Sequence, residues 1–232
     1  MSNPPLPRPT PDDPAGLSMA HLTLGLSVLI GAAWLYGGTA EDVASGDPLT
    51  VIDKHVAAWF DERQTPDLTI AMQLVTGLAA PAWVTAVAVI AALGLCWKRC
   101  WYWLLALVLA LPGGMVLGWL LKLACQRQQP GFAGATQVFN GCGFPSGHTM
   151  AATLLYGTLA AFAVNARNGW RWRARAILGA CLIVLLVGLS RVYLGAHVLS
   201  DVLGAAAAAL AWMGLCLTAV EELRQSRCRV VG

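Results

Sequence analysis

Six stretches of this chain are long and apolar enough to cross a hydrocarbon layer, and they limit the fold more than any other feature. A helix needs about 20 apolar residues to span a bilayer. In hydrocarbon it satisfies every backbone N–H and C=O group within its own segment. The runs are about Leu17 to Gly37, from after Pro66-Asp67 to Trp97, Trp101 to Leu121, about Gly147 to Val164, Ala176 to Leu194, and about Val198 to Val220. Composition agrees: the 232 residues are 57% hydrophobic and 12% charged, with a mean hydropathy of +0.63, far too apolar for a soluble domain of this size. The expected fold is all-α, a polytopic membrane protein with a bundle of six transmembrane helices.

The second run is longer than one span needs, which predicts a tilt or bend near Gly77 and Pro81. Gly204 and Ala205 to Ala209 predict close packing of the sixth span. Residues 1 to 16 are Pro-rich and polar and read as a disordered cytoplasmic tail, residues 17 to 220 as the six-span domain, and 221 to 232 as a cytoplasmic C-terminal tail. Ahead of the first run stand only Arg8 against Asp12 and Asp13, so that run reads as a retained anchor and not as a signal peptide. Between the first two runs, Val51, Ile52, Val56, Trp59 and Phe60 recur at helical spacing, with Asp53, Lys54, Asp61 and Glu62 among them. This predicts a short amphipathic helix at the outer surface, either capping the bundle or gathering lipid.

Charge orients the bundle. Arg8, Lys98, Arg99, Arg167, Arg171, Arg173, Arg175, Arg224, Arg227 and Arg229 fall on the face that carries both termini; Lys54, Arg63, Lys122, Arg127 and Arg191 fall on the other. Ten against five puts the termini in the cytoplasm. Trp97, Trp101, Trp103, Trp170 and Trp172 gather at that same face, as an interfacial belt does. The net charge of +3 is slight and its basic residues lie in loops, which argues against nucleic acid as a partner.

Against this background the segment Ser190 to Asp201 stands out. Asp201 is the only acidic residue between Asp67 and Glu221. Ionisable groups at membrane depth are costly and mark function by default. His197 and Asp201 are four apart, the spacing that puts both on one helix face. With the termini inside, Lys122, Pro145-Ser146-Gly147-His148 and Ser190 to Asp201 all come to the outer ends of spans. Lys122 and Arg191 are donors for an oxyanion, Ser146 and Gly147 precede a helix N-terminus that favours negative charge, and two histidines can divide nucleophile and general acid. The bland alternatives are a buried polar pair for His197 and Asp201, a snorkelling side chain for Lys122, and an exposed loop charge for Arg127. A hard cation wants several carboxylates, and the spans hold only Asp201, so no metal and no cofactor is expected. The seven cysteines show no paired metal-ligand spacing. Cys125 and Cys142, both in the outer loop, either pair or stay as thiols.

These segments resemble the type 2 phosphatidic acid phosphatase superfamily, which also contains glucose-6-phosphatase and the vanadium haloperoxidases. Pro145-Ser146-Gly147-His148 matches its P-S-G-H motif, and Ser190-Arg191, His197 and Asp201 match S-R-x5-H-x3-D. The resemblance covers roughly Asp67 to Ala219, and the layout is similar to the bacterial integral-membrane branch. It implies that His197 attacks phosphorus, Asp201 holds its ring, and His148 protonates the leaving oxygen and then activates water. It further implies that Lys122, Ser146, Gly147 and Arg191 hold the phosphoryl oxygens. The K-x6-R-P motif departs from the pattern, because Gln129 stands at the arginine position before Pro130, with Arg127 two residues earlier. Gln129 donates a hydrogen bond without charge, and Arg127 is the candidate to complete the phosphate site.

The implied activity is that of a metal-independent lipid phosphatase at the outer face of a bacterial inner membrane. Its substrate is a lipid phosphate: undecaprenyl diphosphate, which is weakly favoured, phosphatidic acid or phosphatidylglycerol phosphate. The rival readings are a lipid phosphotransferase using the same phosphohistidine and a non-catalytic lipid-binding or transport relative.

Overall fold

The computed structural model describes residues 48–125, 144–167 and 169–231. The first expected span, Arg127, Gln129 and Cys142 lie outside them. The described residues form seven helices: α1 Pro48–Asp61, α2 Pro66–Gly77, α3 Pro81–Trp97, α4 Trp101–Cys125, α5 Gly147–Ala166, α6 Trp170–Tyr193 and α7 Leu199–Val231. Five segments among them are long and apolar enough to cross a membrane, with α2 and α3 together making one. Each coincides with an expected run.

The break between α2 and α3 falls where Gly77 and Pro81 predict it. Pro81 opens α3 and has no N–H to carry the helix backward. Tyr156 of α5 braces the gap, its hydroxyl donating to Leu78 O at 2.9 Å and accepting from Trp83 Nε1 at 3.1 Å. At the other end of this span Thr65 caps α2, accepting from Leu68 N, with Pro66 in the first turn.

α5 is the central helix, packed against α3, α4, α6 and α7. Thr149 to Leu155 are buried without interruption, on every face of the helix. The Pro-Ser-Gly-His motif therefore sits at the end of the innermost element. The outer helices reverse the soluble pattern: Leu74, Ile90, Leu93, Leu178 and Leu182 are all exposed, forming surfaces that only hydrocarbon would cover. A T-shaped contact between Trp103 and Phe162 sets the start of α4 beside the end of α5, so these neighbours run antiparallel.

α7 packs closely on α5 and α4 through the small residues expected to do so; Ala205, Ala208 and Ala209 are buried. Gly204 faces the ring of buried Phe144, which a Cβ at that position would overlap. Gly204→Val is expected to lower stability by about 1–3 kcal/mol and to cut activity, because Phe144 leads directly into Pro145 and Ser146. Thermal unfolding in detergent beside phosphate release checks this, and wild-type values for both would contradict the packing. The segment read as a C-terminal tail is a continuation of α7 to Val231.

The amphipathic helix expected between the first two runs exists as α1, but its faces differ from the sequence reading. Asp53, expected on the polar side, is buried, and Ala57, Phe60 and Gln64 follow on the same face. That face packs on α6 and α7: Phe60 meets the Tyr193 ring edge-on and Gln64 Nε2 donates to Tyr193 O. Val51, Ile52 and Trp59 are exposed. The helix thus docks on the bundle through this face.

Candidate active site

Three chain segments build the site, and backbone bonds join them. At the end of α6, Arg191 O accepts from Ala196 N at 3.1 Å and His197 N at 3.3 Å, folding the chain into a tight turn before α7. Gly195 takes φ +66° within that turn, a left-handed conformation that costs a glycine little. The turn returns His197 to the level of Arg191. Ser146 N then donates to Asp201 O at 3.4 Å, tying the start of α5 to the start of α7.

The pair at the centre is buried. His197 is 4% exposed and Asp201 is 0% exposed. Asp201 Oδ2 lies 3.5 Å from His197 Nδ1, within ion-pair range but without a formed hydrogen bond, and accepts Val198 N at 3.3 Å. The four-residue spacing read from the sequence thus does bring carboxylate and imidazole together, although His197 precedes the first residue of α7. A carboxylate facing Nδ1 favours a proton on that nitrogen and leaves Nε2 with its lone pair. Asp201 also occupies the first turn of α7, where the helix dipole favours its charge.

Ser146 is the N-cap position of α5 and is fully buried; its Oγ accepts from the Thr149 hydroxyl at 3.1 Å. Gly147 and His148 are the first two helical residues and are half-buried. Their N–H groups belong to the helix end that lacks internal acceptors, a natural place for an anion. His148 lies within electrostatic reach of Arg191, His197 and Lys122. Lys122 is in the last turn of α4 and is half-buried. Buried Arg191 donates through Nη1 to Thr76 Oγ1 at 3.4 Å, which steers its guanidinium across α2.

Lys122, Ser146, Gly147, His148, Arg191, His197 and Asp201 therefore converge, as expected. Arg127 and Gln129 lie outside the described residues. Sequence reading missed Thr76, Thr149, Ser200 and Asp53. The first three are ordinary hydroxyls in apolar helices; Asp53 is 147 residues from its partner Ser200.

A family model described as the PAP2 superfamily matches residues 101–225, more than half of the chain. The chain belongs to the PAP2 superfamily. The match runs from the start of α4 through most of α7 and so contains all three site segments. Among PAP2 relatives, phosphatidylglycerophosphatase B of Bacillus subtilis (strain 168) is 33% identical over 140 residues, which is 60% of this chain and 68% of the relative. The crystal structure of a transmembrane PAP2 type phosphatidylglycerolphosphate phosphatase from Bacillus subtilis aligns with a TM-score of 0.71 at 25% identity, covering 87% of this chain and 96% of that one. The protein is accordingly a multi-pass membrane phosphatase of the PAP2 type, helical throughout the regular elements of its described residues.

Proposed function

We propose that this PAP2 protein hydrolyses the phosphate monoester of a membrane lipid through a phosphohistidine at His197. The observation that carries the proposal is the buried His197–Asp201 pair, with Nδ1 turned to the carboxylate, beside a half-buried His148 at a helix N-terminus. In the first step His197 Nε2 forms a bond to phosphorus while the bond to the lipid oxygen breaks. Protonated His148 gives that oxygen its proton, so the lipid leaves as a neutral alcohol. Positive charge on the phosphorylated ring is balanced by Asp201. In the second step His148, now neutral, takes a proton from water. The hydroxyl attacks phosphorus, inorganic phosphate departs and His197 is restored. Lys122, Arg191, Ser146 and the Gly147 N–H stabilise the three equatorial oxygens, the main source of rate in phosphoryl transfer.

Phosphatidylglycerol phosphate is the preferred substrate, on the strength of the activity named for the Bacillus relative and for the aligned Bacillus structure. That replaces the weak preference for undecaprenyl diphosphate. The basic loops at Lys98-Arg99 and Arg167 to Arg175 lie at the bundle end away from the site, which supports cytoplasmic termini and a site at the outer face of a bacterial inner membrane. Phosphate release from phosphatidylglycerol phosphate, phosphatidic acid and undecaprenyl diphosphate in mixed micelles tests the assignment. Fastest turnover of the first is expected; transfer of phosphate to a lipid acceptor in place of free phosphate would overturn hydrolysis.

The site is expected to work without a metal. Asp201 is engaged by His197 and Val198 N, and Asp53 by Ser200, so neither carboxylate is set to hold a hard cation. Activity is expected to be unchanged in EDTA. Loss in EDTA with recovery on adding Mg²⁺ would contradict this.

A further inference from the structure

We infer that Asp53 of α1 is a positioning residue for the His197–Asp201 pair, holding the first turn of α7 from outside the PAP2 match. The inference rests on the proposed role of His197 as nucleophile. Asp53 is 4% exposed, although its helix lies at the rim of the bundle and its neighbours Lys54 and Ile52 are exposed. Its two carboxylate oxygens both go to one residue: Oδ1 accepts Ser200 N at 3.0 Å and Oδ2 accepts the Ser200 hydroxyl at 2.5 Å. A bond from a hydroxyl to a carboxylate at that length is of the strong, charge-assisted kind.

Ser200 is the residue before Asp201, and both stand in the first turn of α7. The N–H groups of that turn have no intrahelical acceptor. Asp53 takes Ser200 N, Asp201 takes Val198 N, and both carboxylates favour the positive end of the dipole. The result is a fixed start for α7, from which Asp201 aims at His197 Nδ1 and its carbonyl holds Ser146 N. A bidentate clamp on one residue at the site's edge is more than a packing contact needs. A buried carboxylate costs several kcal/mol of desolvation, whereas an apolar residue at position 53 would seal α1 against the bundle without that cost. Ala57 and Phe60 on the same face already supply apolar packing. The carboxylate is explained by the geometry it imposes on Ser200, and through it on the adjacent Asp201.

The test uses the full chain in detergent, measuring phosphate release from phosphatidylglycerol phosphate with kcat and KM separated. Asp53→Ala is expected to lower kcat about 10- to 100-fold, as small displacements of reacting groups do, with KM nearly unchanged. Asp53→Asn is expected to recover part of the loss, since its amide oxygen still accepts Ser200 N. Ser200→Ala is expected to lose less than Asp53→Ala, and the double variant to be no worse than Asp53→Ala alone, because both changes remove one linkage. Lys54→Ala, on the exposed side of α1, serves as the control with unchanged kcat. Wild-type kcat in Asp53→Ala, or losses that simply multiply in the double variant, would overturn the inference. Should Asp53→Ala not yield folded protein, Asp53→Asn and Ser200→Ala decide together: a lowered kcat at constant KM in either supports the clamp, and a wild-type kcat in both removes it. His197→Ala in the same assay separates the two levels. If it keeps releasing phosphate, the nucleophile assignment falls; if it is inactive while Asp53→Ala is normal, only the positioning role falls.

Discussion

Alanine at position 197 is expected to lower phosphate release by about 10³-fold or more, the scale of losing a nucleophile and not merely a binding group. No neighbour can take over the attack. His148 is needed as acid and base and sits on another helix, and Lys122 and Arg191 carry positive charge. The fold should tolerate the change: His197 is buried but lies in a turn whose shape is set by its backbone N–H on Arg191 O, which alanine keeps. Thermal unfolding in detergent should therefore stay close to wild type while turnover disappears. Activity within about tenfold of wild type would mean that some other group attacks phosphorus.

Asp201→Asn is expected to cost about 10²- to 10³-fold in kcat, by the tautomer argument that governs an oriented histidine. The carboxylate now faces Nδ1 and accepts Val198 N through the same oxygen, Oδ2. An asparagine of the same size has one acceptor in place of two. If its oxygen takes the place of Oδ2, it keeps both contacts without the charge. If it turns the other way, the amide presents hydrogens to Nδ1 and drives the ring proton to Nε2, the proposed attacking atom, and the helix start loses its bond from Val198 N. In either orientation no negative charge remains to balance the phosphorylated imidazole. Phosphate release with kcat and KM separated measures the effect, and a loss confined to KM would contradict an orienting role for Asp201.

Much of the candidate site could be read from the sequence because its residues are local in the chain. Arg191, His197 and Asp201 lie at the end of α6, in the turn after it and at the start of α7, and Ser146, Gly147 and His148 are consecutive. The chain break near Gly77 and Pro81 was legible for the same reason. Faces of helices were not. In a soluble protein an apolar stripe points inward, but hydrocarbon covers Leu74 and Ile90 as readily as a core would, so periodicity does not tell inside from outside. Val51, Ile52, Val56, Trp59 and Phe60 marked α1 as amphipathic without saying which side packs, and the packed face carries Asp53, Ala57 and Phe60. Long-range pairs were also silent: nothing near Ser200 announces Asp53, and nothing near Leu78 announces Tyr156. Lys122 was expected near the site from alternation of the spans, and it lies within electrostatic reach of His148.

The covalent intermediate is the claim on which the rest depends. Rapid acid-free quenching of the enzyme during turnover of phosphatidylglycerol phosphate labelled in its terminal phosphate, followed by peptide mapping, tests it directly. The expected result is an acid-labile, base-stable phosphoryl group on the peptide at His197, absent from His197→Ala. Turnover with no label on the protein, or with the label on another residue, would contradict it.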